Sequence, residues 1–253
     1  MKNPFSLEGK TILVTGASSG IGKATAIACA EVGARVVITG RNVERLEATL
    51  LELKALDAAR LGAEHLVIAA DLTKAEERHA LVEKVPELEG VVQCAGIGHR
   101  TLCKMIGEED VREVMSTNMD APILLQSELL QAKKIMKGAS IVFVASAAAT
   151  MPAMGNALYS ASKGAILSYA RCLALELAAR KIRVNCISPT MVWTNLALVG
   201  ATAEQLREAE QNYPLKRYGK PEDVANLAVY MLSDAARWMT GSNVEITGGA
   251  SKL

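Results

Sequence analysis

The chain has 253 residues, half of them apolar and 22% charged, with 28 basic against 27 acidic side chains. That length suffices for one large α/β domain with a substantial core. A formal charge of +1 with only 4% aromatic residues excludes the basic stripe or stacking platform of a nucleic-acid or anionic-membrane surface.

Small molecules and further copies of the same chain are therefore the expected partners. No Pro/Ser/Gly linker or low-complexity tract divides residues 1–253, which read as a single domain. No segment is apolar over a bilayer-spanning length and residues 1–10 hold no signal-peptide core, so the expected location is the cytoplasm. The terminal Ser251-Lys252-Leu253 matches the peroxisomal tripeptide and makes that organelle the alternative. Five cysteines (Cys29, Cys94, Cys103, Cys172, Cys186), odd in number and without Cys-x-x-Cys spacing, read as reduced core residues. His65, His79 and His99 lack metal-ligand spacing, and no metal is expected.

Strand-like apolar runs at 11–15, 35–39, 65–70, 91–94, 140–145, 183–187 and 243–246 alternate with helical stretches at 20–32, 42–61, 74–85, 109–136, 157–179, 203–212 and 221–232. Such alternation demands crossover connections. It predicts a doubly wound, mainly parallel seven-stranded α/β sheet with helices on both faces, Rossmann-like in kind.

The first strand runs into Thr15-Gly16-Ala17-Ser18-Ser19-Gly20-Ile21-Gly22, which opens the first helix. A glycine turn in that context presents backbone N–H groups to an anion: Gly16 permits the tight turn, Gly20 a close approach and Gly22 close packing of helix on strand. Its spacing, Gly-x-x-x-Gly-x-Gly, differs from the common dinucleotide fingerprint. After the second strand, Gly40 stands where an acidic residue would hold a free ribose 2′-hydroxyl, and Arg41 follows; the pair predicts a 2′-phosphate. Arg45 is expected to face solvent. Asp71, ending the third strand before Leu72, either accepts from an adenine amino group or caps the helix that starts near Lys74. Pro122 divides the long stretch 109–136 or sits in a new first turn, and Pro221 opens the last helix with Glu222 and Asp223 complementing its dipole.

Four residues of the middle third suit proton transfer at a carbonyl: Asn118, Ser146, Tyr159 and Lys163. Tyr159 and Lys163 are four apart in Tyr-Ser-Ala-Ser-Lys, so on a helix both lie on one face, and a nearby ammonium would bring the phenol's pKa toward neutrality. Ser146 ends the buried strand Ile141-Val142-Phe143-Val144-Ala145, at the sheet edge where open α/β folds bind ligands; it donates to a substrate carbonyl or serves as a turn residue.

Together these residues resemble the short-chain dehydrogenase/reductase family along essentially the whole chain. Thr15 to Gly22 fit its Thr-Gly-x-x-x-Gly-x-Gly, Asp71 its adenine-side Asp, and Asn118, Ser146, Tyr159 and Lys163 its catalytic set. Leu232-Ser233-Asp234 and Met239-Thr240-Gly241 leading to Gly248-Gly249 match its C-terminal pattern, and Thr194 falls on its nicotinamide-side hydroxyl, five residues after Pro189. The resemblance implies NADP as cofactor, held by Gly16, Ser18, Ser19, Gly20, Ile21, Arg41, Asp71, Leu72, Cys94, Ala95, Gly96, Tyr159, Lys163, Pro189, Val192 and Thr194. It further implies hydride transfer from C4 of NADPH to a carbonyl carbon, with Tyr159 protonating the oxygen. Lys163 would lower the phenol's pKa and hold the nicotinamide ribose, Ser146 would stabilise the oxyanion, and Asn118 would order a water.

Two departures accompany the match. Gln93-Cys94-Ala95-Gly96 stands for the family's Asn-Asn-Ala-Gly, removing a contribution of about 0.5–1.5 kcal/mol unless another group supplies it. Its Pro-Gly pair becomes Pro189-Thr190.

The apolar stretches 147–154 and 191–199 are expected either to wall an apolar pocket, the second as a mobile lid, or to fill core and subunit contacts. The overall pattern is similar to the 3-oxoacyl-carrier-protein reductases, with an acyl carrier protein as one partner option. The two arginines that dock it fall on Gln131 and Arg180, so one charge is missing; Lys133, Lys134 and Lys137 either compensate for it or are solvated lysines that complement a helix dipole. The alternatives are a dehydrogenase of a small cyclic or sugar alcohol and a non-catalytic NADPH-binding regulator. A homotetramer or homodimer is expected, since 118–136 and 157–179 are apolar or small over more than one core-facing stripe.

Overall fold

A computed structural model describes residues 3–57, 64–151, 153–199 and 201–250. The terminal tripeptide, the predicted helical residues 58–61 and Pro152 of the pocket stretch lie outside the described residues.

Seven strands form one sheet: β1 (Thr11–Thr15), β2 (Arg35–Thr39), β3 (Leu66–Val67), β4 (Leu88–Gln93), β5 (Ile135–Val144), β6 (Arg183–Pro189) and β7 (Asn243–Ile246). Their spatial order is β3-β2-β1-β4-β5-β6-β7 and every pairing is parallel. Ile12, Leu13 and Val14 are wholly buried, as are Val91, Val92, Ile141 and Val142, because helices cover both faces. One face is covered by α1 (Gly20–Glu31), α2 (Val43–Asp57) and α7 (Pro221–Leu232), the other by α3 (Ala75–Lys84), α5 (Ala121–Gln131) and α6 (Ala157–Leu177), with α4 (Glu108–Met115) packed on α6. The chain winds outward from β1 to β3, then returns to place β4 against β1. The strand order reverses there, opening a crevice at the C-terminal ends of β1 and β4.

Four predicted elements differ. The third strand is two residues long instead of 65–70, because the His65 imidazole accepts the Val36 N–H. Backbone pairing nonetheless continues irregularly through Ile68 and Ala70, which donate to Ile38 and Gly40. The helix predicted over 109–136 is three segments. After α4 the backbone makes one π turn, Ser116–Asp120, and α5 follows with Pro122 in its first turn. α5 then ends at Gln131, where Lys133 adopts φ +56° and Lys133 and Lys134 return N–H bonds to Leu130 and Leu129. Ile135 and Met136, apolar and so read as helix, already belong to β5, which begins earlier than the predicted 140. β4 likewise begins at Leu88 instead of 91, across a register irregularity.

A buried ion pair ties α3 to α5. Arg78 Nε lies 2.9 Å from Glu128 Oε1, their side chains are 6% and 15% exposed, and Arg78 Nη1 also donates to the carbonyl of Leu72.

Candidate active site

The glycine turn leaves β1 with Gly16 at φ +65° and Gly20 at φ +54°, conformations that disfavour side chains. A Cβ on Gly16 would stand 3.0 Å from the Ala95 backbone, and one on Gly22 would collide with the carbonyls of Gly16 and Thr15. The turn is thereby pressed against the segment after β4. Thr15 Oγ1 joins the two, accepting the N–H groups of Cys94 and Ala95 at 3.0 and 3.1 Å. Gln93, at the place of the first asparagine, accepts from Thr15 Oγ1 at 3.5 Å and donates to the Pro122 carbonyl at 3.4 Å. Thr15 and Gln93 are positioning residues that the sequence reading did not single out by role.

Cys94 turns its thiol toward Thr25 of α1, and burial pushes it up to about 12, so only its backbone can meet a ligand. Leu72 is buried in the core and its carbonyl is taken by Arg78. Asp71 is held by an Asx turn, with Oδ1 accepting the N–H and hydroxyl of Thr73 while its own N–H donates to Glu77. Burial would raise its carboxyl, but the bonds from Thr73 outweigh that and lower it. The expected helix cap is corrected: α3 is preceded by Lys74, and Asp71 caps the turn before it. A cleft of about 330 Å³ opens here between Arg41, Val43, Ala69 and Asp71, with Lys74 and Glu77 on its rim. Arg41 and Arg45 are both exposed, and the space above Gly40 faces Ser18, whose hydroxyl would be 3.6 Å from an added Cβ.

Asn118 sits in the π turn. The extra residue of such a turn breaks the α register and allows an inward side chain on an otherwise half-exposed segment. Asn118 clamps Ile97 on both sides, accepting its N–H at 2.8 Å and donating to its carbonyl at 3.0 Å, and it also reaches Ser162 Oγ at 3.2 Å. Lys163 is 6% exposed and donates to the Val144 carbonyl at 3.0 Å. Both converge on Gly96: a Cβ there would lie 3.1 Å from Asn118 Oδ1 and 3.4 Å from Lys163 Nζ. Ser146 follows β5 and accepts the Ala148 N–H, the turn-residue alternative, and it also contacts the Tyr159 phenol.

The electrostatics correct one expectation. Burial raises the Tyr159 phenol above its ordinary value, and only its hydrogen bond with Ser146 pulls the other way. Lys163 Nζ stands 5.9 Å from the centre of the phenol ring, and burial lowers the lysine to about 8. The chain's own groups thus leave Tyr159 a protonated donor at neutral pH. The ammonium does not offset that burial: Nζ stands 5.9 Å from the ring centre and donates to the Val144 carbonyl.

On the far side of the cleft, Pro189 ends β6, Val192 pairs with Gly219, and residues 193–199 cross toward α1 as a strap. Thr194 packs its methyl on Gly20, with Cγ2 3.1 Å from an added Cβ, while its hydroxyl donates to the Val192 carbonyl. A second cavity of about 600 Å³ lies behind the strap, bounded by Lys23, Ala24, Ile27, Trp193 and Leu198. Among the described residues no three His, Cys, Asp or Glu side chains group to hold a metal, and no helix is long and apolar enough to cross a membrane. Of the cations proposed for an acyl carrier, Arg180 donates to the Ile135 carbonyl and Lys134 to those of Glu83 and Val85. Lys134 therefore finishes α3 and is not a free compensating charge; Lys133 and Lys137 are exposed.

Comparison with known proteins agrees with this geometry. A family model described as Enoyl-(Acyl carrier protein) reductase matches residues 16–251. The 3-oxoacyl-[acyl-carrier-protein] reductase of Rickettsia felis is 34% identical over 248 residues, 97% of this chain and 98% of that protein. A solved 7α-hydroxysteroid dehydrogenase complexed with NADH and 7-oxo glycochenodeoxycholic acid superposes with a TM-score of 0.90 at 29% identity, covering 100% of this chain and 99% of that one. A Beutenbergia cavernae structure described as an NAD(P)-dependent gluconate 5-dehydrogenase, with NADP bound at low occupancy, gives 0.87 at 33% identity over 98% of each chain. Likeness of this extent, running nearly end to end, places the chain in the short-chain dehydrogenase/reductase family of NAD(P)-binding oxidoreductases.

Proposed function

We propose that the protein is an NADPH-dependent oxidoreductase interconverting a carbonyl and a secondary alcohol on an apolar substrate. The observation that carries this reading is the linkage of the four groups at the sheet's switch point: Asn118 and Lys163 meet at Gly96, Lys163 Nζ stands 5.9 Å from the Tyr159 ring centre, and the Tyr159 phenol bonds Ser146.

The residues present fit the cofactor. N–H groups of Ser18, Ser19, Gly20 and Ile21 at the start of α1 suit a pyrophosphate, Gly16 leaves room for it, and Arg41 with Ser18 suits the 2′-phosphate. The cleft beside Asp71 and the Leu72 N–H suit the adenine, and the backbone of Cys94, Ala95 and Gly96 its ribose. Tyr159 and Lys163 would hold the nicotinamide ribose, and Pro189, Val192 and Thr194 would hold the nicotinamide. The bound nicotinamide supplies the hydride. Tyr159 gives its phenolic proton to the carbonyl oxygen and Ser146 donates to the same oxygen as charge develops on it. Lys163 holds a positive charge beneath the site, and Asn118 fixes the Ile97 backbone that forms its wall. Exposed Met154, in the apolar stretch that follows Ser146, supports an apolar substrate.

Replacing Arg41 with Ala is expected to weaken NADPH binding by about 1.5 kcal/mol, the lower end for a charged hydrogen bond because the guanidinium is exposed, and to leave NADH nearly unchanged. Fluorescence titration with both nucleotides checks this; equal losses would defeat the 2′-phosphate assignment. Turnover of an NADPH–ketone pair separates this enzyme from a non-catalytic nucleotide-binding regulator, which needs neither Ser146 nor Asn118.

The protein is also proposed to be a homotetramer or homodimer. Leu175 of α6 is 80% exposed, Leu124 of α5 is exposed as well, and Trp238 is 99% exposed, a distribution that supports self-association over more than one face. Sedimentation at micromolar concentration should show no stable monomer.

A further inference from the structure

Two glycines seat the strap. Gly20 receives Thr194, as described, and Gly98 receives the other end: a Cβ on Gly98 would stand 3.3 Å from Leu196 Cγ and 3.5 Å from Val199 Cγ2. Gly98 is two residues beyond Gly96, and Asn118 pins the intervening Ile97 through both backbone groups. The seat is therefore fixed to the proposed catalytic groups by hydrogen bonds. Thr101 continues the anchoring by donating to the Gly155 carbonyl near the start of α6. Unlike Gly16 or Gly20, Gly98 is not at a positive φ, so nothing in its backbone requires glycine. An added Cβ would instead crowd the strap, which would have to give by a few tenths of an ångström.

The strap is held unequally. Leu196 and Val199 touch the rigid Gly98 loop, whereas Trp193, Thr194 and Leu198 border the cavity of about 600 Å³ against α1. A side chain at 98 would push the strap toward that space and leave the sheet undisturbed.

We propose that Gly98 is a positioning residue for substrate. Its missing side chain sets how closely the strap packs over the substrate end of the cleft, and so how tightly the carbonyl compound is held. The inference rests on the carbonyl-oxidoreductase reading for its kinetic part alone.

The strap carries Trp193, and the chain has two tryptophans, the other being the exposed Trp238. A Trp238→Phe background therefore makes Trp193 fluorescence a report on strap seating that needs no substrate. In that background Gly98→Val should raise acrylamide quenching of Trp193 by half or more, and adding Leu196→Ala should return it toward the starting value. With NADPH and a ketone that the protein turns over, Gly98→Val should raise KM roughly tenfold with cofactor Kd within about twofold, and Leu196→Ala should recover most of the loss. Thermal unfolding of each variant verifies folding.

Unchanged Trp193 quenching in folded Gly98→Val overturns the seat. So does a KM loss that Leu196→Ala fails to relieve, or a parallel loss of cofactor affinity. If quenching responds and is rescued but no carbonyl or alcohol is turned over by any form, the seat stands and the proposed reaction falls.

Discussion

Tyr159→Phe is expected to lower kcat for carbonyl reduction by about 10²–10⁴, the contribution of a positioned general acid, while NADPH affinity stays within a few-fold. The change removes one oxygen from a buried ring whose hydroxyl meets Ser146, so the fold and the place of Lys163 on the Val144 carbonyl are kept. Because burial holds the phenol above its ordinary value, it stays protonated through neutrality and the donor form is fully present. Lys163 is depressed to about 8, below its unfolded value of 10.5, so its ammonium is intact below that pH and is lost above it. The reduction rate should accordingly be level at neutral pH and decline above about 8. By linkage, the folded state binds fewer protons than the unfolded one between those two values, and this lysine's contribution to stability rises with pH across that interval. A Phe variant with near-normal turnover would move the chemistry to another group. Lys163→Ala should impair both turnover and cofactor affinity, and normal affinity would remove its ribose role.

The largest expected effect on stability comes from Glu128→Ala. Breaking a buried pair strands the partner charge, here Arg78 with a side chain 6% exposed, at a cost of about 3–5 kcal/mol. For a chain of this size that corresponds to a fall in Tm of roughly 6–20 °C. Arg78 would retain the Leu72 carbonyl, and His79, 3.5 Å from the same carboxylate oxygen, offers no negative charge in exchange. The joint replacement Arg78→Met with Glu128→Leu should recover most of the loss, since no buried charge is then left unpaired. A calorimetric loss under about 1 kcal/mol for Glu128→Ala would show that the pair is solvated and not buried. The pair also bears on the nucleotide cleft, because Arg78 holds the residue next to Asp71.

Most of the fold was legible because a parallel sheet covered on both faces writes each central strand as a continuous apolar run. Val14, Val92 and Val142 are such residues, with no polar alternation to confuse them. The edge was not: His65 interrupts β3 with a side-chain bond that no periodicity records. Nor was the break in 109–136, because a π turn has no composition of its own and Ile135-Met136 looks equally apolar in helix or strand. The site residues came from spacing, which fixes which groups can approach but not where their protons and charges go. Lys163 was placed correctly beside Tyr159, yet its bond to Val144 depends on where β5 ends relative to α6. Gly98 carried no signal, since a glycine that serves a distant strap looks like any loop residue.

The π turn has an arithmetic consequence. An α-helix advances about 100° per residue, so removing a single residue from Ser116–Asp120 would make α4 and α5 one continuous helix and rotate everything on one side of the deletion by that angle. Asn118 would swing away from Ile97 and Ser162 while every backbone hydrogen bond found a partner. The turn is thus a frame-setting insertion. Its spare residue gives up local helical regularity so that α4 keeps its outward face, α5 keeps its buried one, and the asparagine between them answers to neither phase.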